Sequence, residues 1–347
     1  MKYAPTDRRK SMACWLKTKW LLCFCALLLG NPPAARGATG EIIPFMVGNQ
    51  SPLVQIYGLP HDTGADIVAP GGVQVALLQD LSSNYAVGSS GREEITLDGE
   101  MYRVTVAARY GLSPRWEVGL ELPYIVQGGG FLDGFIFGWH NTFGLPQGGR
   151  TTAPRNHLDY RYRKDGTTLL AVDHGTTGVG DLALTGGYQL VDESDSDSPA
   201  RLALKGKIKL PTGDSSSLGG SGGADGLVQL CGSRQWGSFA LYGSVGALVM
   251  SKGDVLGDQH NPLAGTGSLG VGWAPVSTIS FKLQLNGTTP LYRDSALAEI
   301  SSPTLILTTG GTVRLPDDYL LDIGVVEDVA VSTAPDVSFH LGVSRRF

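Results

Sequence analysis

The last residues of the chain, DVSFHLGVSRRF, alternate. Phe339, Leu341, Val343 and Phe347 share one phase. Ser338, His340, Gly342, Ser344 and Arg346 share the other. A period of two predicts a strand with one apolar and one small or polar face. The pattern recurs. EMYRVTVAARYGL sets Tyr102, Val104, Val106, Ala108 and Tyr110 against Arg103, Thr105, Ala107 and Arg109. RWEVGLELPYIV sets Trp116, Val118, Leu120, Leu122 and Tyr124 against Arg115, Glu117, Gly119 and Glu121. ARLALKGKIKL carries Arg201, Lys205, Lys207 and Lys209 opposite its leucines. Further runs lie near 72–84, 179–191, 225–236, 238–250, 266–275, 277–291, 303–315 and 319–331, which makes about twelve strands.

Both a two-sheet sandwich and a membrane barrel alternate in this way. Sandwich strands average only about five or six residues, whereas tilted barrel strands need about ten. The links decide between them. GLSPR, DESDSDSP, RQWGS, APVS and PDD are short, and each is followed by a longer connection. Short inner turns and long outer loops mark outer-membrane barrels. Tyr102, Tyr110, Trp116, Tyr124, Trp236, Phe239, Trp273, Phe281 and Phe347 fall near strand ends, as interfacial aromatics do. The expected fold is an all-β, antiparallel up-and-down transmembrane barrel of about twelve strands, closed by pairing the last strand with the first. A terminal aromatic strand ending at Phe347 suits an insertion signal. Arg345, on the lipid-facing phase, is tolerable near the rim, where charge costs little.

Composition agrees. Charged residues are only 17% of the 347, and there are 49 glycines; mean hydropathy is +0.02, too low for a bundle of membrane helices. Arg8, Arg9, Lys10, Lys17 and Lys19 precede the apolar WLLCFCALLLG, which predicts a secretory signal over 1–37. Without it the formal charge is −11, which excludes nucleic acid as a partner. Only Cys231 then remains, so neither an internal disulfide nor a cysteine metal cage is expected. The remainder divides into a pre-barrel segment, 38–71, and the barrel, 72–347.

GNQSPLVQIYGLP (48–60), FLDGFIFGWHNTFGLPQGGR (131–150), APRNHLDYRY (153–162), TGVGDLAL (177–184) and KLPTGD (209–214) together resemble an uncharacterised family of Gram-negative outer-membrane proteins, known only as a domain of unknown function. GVGDL and KLPTGD are also similar to stretches of hydrocarbon- and phenol-pathway transporters. The resemblance implies an outer-membrane barrel and brings no catalytic residues with it.

Three features could carry function. Arg103, Arg109, Arg115, Glu117, Glu121, Arg201, Lys205, Lys207, Lys209, Lys282, Asp322 and Arg346 fall on the inward phase. Their basic stripe could favour anions in an open pore. Equally, Arg115 and Glu117 with Arg109 and Arg103 could form a salt-bridge ladder bracing a nearly closed lumen. The second feature is the loop 128–178. In it Phe131, Phe135, Ile136, Trp139 and Phe143, with His140, recur at helical spacing, which predicts a short helix over 131–146. Its apolar face could constrict the barrel mouth, the reading preferred here, or lie on the outer leaflet. HLDYRYRKDGTTLLAVD reads as a hairpin turning at Asp165–Gly166. The third feature is the apolar, proline-punctuated segment 41–71, which suits a periplasmic or in-lumen plug, or a loosely packed leader.

Enzyme readings are weaker. Lipid-hydrolysing barrels use His-x-Ser facing lipid; here His174 and Thr176 are the nearest match. His140, His157 and His174 with Asp133, Asp159 and Asp173 match no metal-ligand spacing. The expectation is a monomeric, non-enzymatic channel with no cofactor, passing a small solute. Its partners would be outer-membrane lipid, lipopolysaccharide and the barrel-insertion machinery. The alternatives are a structural or surface-interaction barrel with a plugged lumen, and a lipid-modifying enzyme.

Overall fold

The computed structural model describes residues 42–143, 154–329 and 333–347; the expected signal segment lies outside them. Twelve strands close into an antiparallel barrel: β1 (Val73–Ser90), β2 (Glu93–Ser113), β3 (Trp116–Gly128), β7 (Ala183–Asp192), β8 (Ala200–Lys209), β9 (Asp225–Trp236), β10 (Phe239–Met250), β11 (Leu263–Val276), β12 (Ile279–Thr288), β13 (Thr304–Arg314), β14 (Leu320–Asp328) and β15 (Val337–Arg346). β15 pairs with β1 from Gln74↔Arg346 to Ser83↔Val337, so the wall has no open edge. Lipid requires this, because unpaired backbone groups find no water there. Backbone bonds between Phe347 and Val73, at 2.8 and 3.1 Å, finish the seam at the chain's last residue.

The wall is apolar outside and polar inside. Val106, Leu122, Leu204, Val245, Leu283 and Ile323 are exposed in mid-strand, whereas Gln74, Asp80, Thr105, Glu117, Lys207 and Gln284 are buried. A soluble sandwich would reverse that assignment. The rings of Phe239, Trp273 and Phe281 stack side by side near the short-turn end, at 6.3 and 5.8 Å, where a polar–apolar boundary favours aromatics.

β1 and β2 are 18 and 21 residues long and extend past most of the wall at the long-loop end. There β4 (Asp159–Lys164) pairs with β2, and β5 (Thr167–Val172) with β4. Their turn is Asp165–Gly166, with φ of 52° and 78°, the left-handed pair that a two-residue hairpin favours. β6 (Thr176–Val179) pairs with the end of β3.

The long loop also holds helix α1 (Leu132–Phe143). It does not stand in the barrel mouth. Leu132 and Ile136 pack against Leu81, Val325, Val337 and Phe339, and Phe135 meets Phe339 edge-on at 5.7 Å. Leu81, Val325 and Phe339 are in register with one another and alternate with inward-facing neighbours, so the helix lies on the outer wall. The expected constriction by Phe131, Phe135 and Ile136 is therefore corrected. Phe131 and Phe135 stay exposed beside the helix, as a lipid-facing face requires. The backbone of Trp139, His140 and Phe143 continues the helix; their side chains, and residues 144–153, lie outside the described part. Glu100, also on the outer wall, accepts from the first helical N–H, Leu132, and from the Tyr102 hydroxyl at 3.0 Å. One carboxylate thus caps the helix and holds it to the barrel.

Candidate functional site

A twelve-stranded barrel is wider than its own side chains can fill. Here the remaining space is taken by residues 42–69. This segment enters at the short-turn end, where Ile42 packs with Ala240, Tyr242 and Ala274. An ascending limb climbs beside β12, reverses at a turn over 51–57, and a descending limb returns to β1. At the turn, Val54 N and Gln55 N each donate to Ser51 O at 2.9 Å. The wall makes room with glycine. A Cβ on Gly272 would stand 2.4 Å from Ile42 Cγ2.

The descending limb lies along the basic stripe. Lys205, Lys207 and Lys209 alternate on β8, all inward and buried. Each reaches a backbone carbonyl of the segment: Lys209 to Ile56 O at 2.9 Å, Lys207 to Leu59 O at 3.0 Å, and Lys205 to Asp66 O at 2.8 Å. Each also holds a wall carboxylate: Lys209 with Asp181 and Asp225 at 2.6 and 3.1 Å, Lys207 with Glu121 at 2.8 Å, and Lys205 with Glu117 at 3.2 Å. Arg103 donates to Gln55 O at 3.2 Å and to Gln55 Oε1 at 2.8 Å. Arg109 joins Glu117 at 3.1 Å and Asp66 O at 3.3 Å, and Arg346 caps the Asp66 carboxylate. The carboxylates donate nothing, and they accept from the segment in turn. Glu117 takes Val68 N at 2.9 Å, Asp225 takes Gly58 N at 2.8 Å, and Glu121 meets His61 at 3.0 Å. Hydrogen bonds to charged groups contribute roughly 1.5–3 kcal/mol each, against about 1 for neutral pairs.

The ascending limb is held differently. Lys282 donates to Ile43 O at 2.9 Å, pairs with Asp322 at 2.6 Å and lies 3.8 Å over the Phe45 ring. The Gln284 amide accepts from Phe45 N at 2.8 Å and donates to Phe45 O at 3.0 Å, much as a neighbouring strand would. His340 is inward and buried, bonded to Asp80 at 2.7 Å.

Two inward candidates are placed elsewhere. Arg115 lies in the short turn between β2 and β3 and is exposed, so it faces no lumen. A period of two continues through a turn in sequence but not in space. Of the expected ladder only Arg109–Glu117 forms, because Arg103 is drawn to the segment. Arg201 sits at the short-turn rim, 3.4 Å from Asp192. Partners that the sequence reading passed over, Asp62, Asp66, Asp80, Asp181, Asp225 and Gln284, share the inward phase or lie in the segment. Alternation could have found Asp80, Asp225 and Gln284; nothing local marks the others.

Between segment and wall the voids are small. One, lined by His61, Arg103, Glu121 and Lys207, holds about 40 Å³, as does another near Thr63 and Lys205. That is room for a few waters, not a solute. Above them, the turn residues Leu53, Val54, Ile56 and Tyr57 enter an apolar core with Ile95, Leu97, Tyr160, Tyr162, Leu256 and Tyr292, which roofs this side of the barrel. The Tyr292 hydroxyl donates to Leu53 O at 2.9 Å.

Among the described residues, the histidines and aspartates of the loop do not converge; the His140 side chain lies outside them. His174 pairs with Asp173 at 3.2 Å on the surface, and His157 lies 3.9 Å from Asp98. Among the described residues no group of three such side chains is placed to hold a metal.

The tip of β2 is tied to the loop after β12. Glu93 pairs with Lys164 at 2.8 Å and accepts from Ser295 Oγ at 2.6 Å and Ala296 N at 2.9 Å. Burial raises the Glu93 pKa, but the Lys164 and Ser295 bonds outweigh it and hold it below the ordinary 4.5. A lowered carboxylate stabilises above its unfolded pKa and loses that contribution as pH falls through the folded value. The protection of the Ala296 and Leu297 amides, taken as the intrinsic exchange rate relative to the observed rate at each pH, should therefore fall on acidification below pH 4.5, and Glu93→Gln should abolish that dependence; an unchanged protection profile in the variant would refute it.

A model of a protein family of unknown function, DUF3187, matches residues 24–347. The chain belongs to the DUF3187 family. No curated protein matches it in sequence. Among solved structures, the COG4313 outer-membrane channel from Pseudomonas putida F1 is 15% identical over 82% of this chain and 98% of that one, with a TM-score of 0.52. The NanC porin is 10% identical over 78% and 98%, with a TM-score of 0.43. The CymD monoaromatic hydrocarbon channel is 14% identical over 92% and 97%, with a TM-score of 0.37. The first similarity is one of fold, and it agrees with the closed wall and apolar exterior. This DUF3187 chain is a closed, twelve-stranded antiparallel β-barrel with an apolar exterior and a polar interior.

Proposed function

We propose that this DUF3187 protein is a plugged outer-membrane channel for passive passage of a small solute, with residues 42–69 as its closure. The observation that carries the reading is the polar attachment of the segment. Three β-strands, β2, β8 and β12, direct inward cations at its backbone carbonyls. Water entering the vacated space can take over hydrogen bonds of this kind, so the segment can leave without destroying the wall. The reading assigns no catalytic step to any residue. It takes the protein as a single chain in the outer membrane, after removal of 1–37, with lipopolysaccharide around it and Phe347 in the insertion signal.

A structural barrel with a permanent filling is the second reading, favoured by the apolar core that the turn shares with the outer loops. Planar-bilayer recording separates the two. The chain from residue 38 should show rare openings, and a chain beginning at Gly72 should conduct steadily. Silence from a folded Gly72 protein would leave the structural reading standing.

A further inference from the structure

The two limbs of the segment are not equally held, and three independent observations agree on which is looser. The descending limb bonds Lys207, Lys205, Arg109 and Arg346, and Arg103 and Lys209 hold the turn above it, whereas the ascending limb has one cation, Lys282. The turn between them is fixed in a core of more than twenty buried residues, but Phe45 and Val47 share a cluster with only Ile306, Val326 and Ala334. The descending limb runs straight into β1, while the ascending limb has only the chain before residue 42 beyond it. Asn49 marks the boundary. Its amide donates to Thr333 O at 3.0 Å, and its carbonyl accepts Ser51 N at 2.8 Å.

We infer that residues 42–47 are a removable gate, that residues 58–69 are a fixed lining, and that withdrawing the gate opens a passage along β12–β15 suited to an uncharged, hydrogen-bonding solute. This rests on the channel reading. The solute class follows from what the gate uncovers. Gln284, Thr308 and Ser338 face inward there, and the charges among them are already matched, Lys282 by Asp322 and His340 by Asp80. Gln284 presents one donor and one acceptor side by side, the pair that now reads the Phe45 backbone. Gly324 thins the wall beside that ring, with a Cβ position 3.4 Å from Phe45 Cε1. The basic stripe stays behind the fixed limb, its lysines bonded to that limb and to carboxylates. An anion thus meets no free cation along this route among the described residues, and a cation meets no free carboxylate. The roof is also separate on this side, since Thr333 and Ala334 lie outside the main apolar core.

The test is liposome swelling with a neutral pentose and with a sugar acid of similar size. A protein beginning at Gly48 should pass the pentose faster than the acid, and a protein beginning at Gly72 should lose that preference as the stripe is uncovered. A lock in the full mature chain guards against misfolding of the truncations. With Cys231, a buried free thiol, replaced by alanine, Ile42→Cys and Gly272→Cys would set Cβ atoms 3.5 Å apart, within the roughly 3.5–4.5 Å that a disulfide spans. Oxidation should reduce pentose swelling to that of protein-free liposomes, and reductant should restore it. The Ile42→Cys protein alone, also carrying Cys231→Ala and so lacking a second thiol, should swell alike with and without oxidant. If oxidation of the paired cysteines leaves swelling unchanged, or if only the Gly72 protein passes pentose, the gate is wrong and the channel stands. If no form passes either sugar, the channel reading falls with it.

Discussion

Replacing Lys209 with methionine is expected to destabilise the folded barrel by about 3–5 kcal/mol, the cost of breaking a buried ion pair from one side. The ammonium group makes four contacts: Asp181 at 2.6 Å, Asp225 at 3.1 Å, Ser221 Oγ at 2.6 Å and Ile56 O at 2.9 Å. Its side chain and those of both carboxylates are 4%, 5% and 0% exposed. Without it, two carboxylates face each other away from water, and the segment loses a cationic anchor at its turn. Methionine keeps most of the volume, so packing contributes little to the loss. Urea unfolding in lipid vesicles measures the effect. The triple change Lys209→Met, Asp181→Asn and Asp225→Asn removes the stranded charges and should recover most of the stability. If the single variant unfolds at the wild-type midpoint, or the triple variant is worse than the single, Lys209 is not the keystone of this contact.

The same lysine shows where sequence reading reaches and where it stops. Lys205, Lys207 and Lys209 are legible as one inward face because strand geometry repeats every two residues. Their targets are not legible. Ile56 O, Leu59 O and Asp66 O are backbone atoms that every residue type carries, so no composition marks them as ligands of a lysine. A stripe that reads as an anion path is for that reason directed at the protein's own chain. The helix in the long loop was legible as an element, since Phe131, Phe135 and Ile136 set its apolar face. Its side of the wall was not, because an apolar face fits a barrel mouth and a lipid boundary equally well. Leu81, Val325 and Phe339, far apart in sequence, decide it by coming together outside. The strand count was the most legible feature, because short and long links alternate with the strands they join.

The inside-out wall itself makes the second large prediction. Leu283→Arg should cost about 2–4 kcal/mol, whereas Leu315→Arg should cost about 0–1, following the depth dependence of charge on a lipid-facing wall. The two leucines are similarly exposed, at 49% and 39%. Leu283 is mid-strand in β12, and Leu315 follows β13 in a short turn. In water, exposure alone would decide, and both substitutions would fall within about 0.5 kcal/mol of wild type. In a membrane the guanidinium at 283 must reach an interface or carry its charge into hydrocarbon, while at 315 it already lies at the rim. Arg345 is the natural instance of the second case. It sits on the outer phase one residue from the end of β15, 3.3 Å from the Tyr319 hydroxyl and over the Tyr319 and Phe347 rings. Folding free energies for both variants in vesicles settle the matter: equal costs would contradict a lipid-facing exterior, and a gap of about 2 kcal/mol or more in favour of Leu315→Arg would fix the depth of β12 in the bilayer.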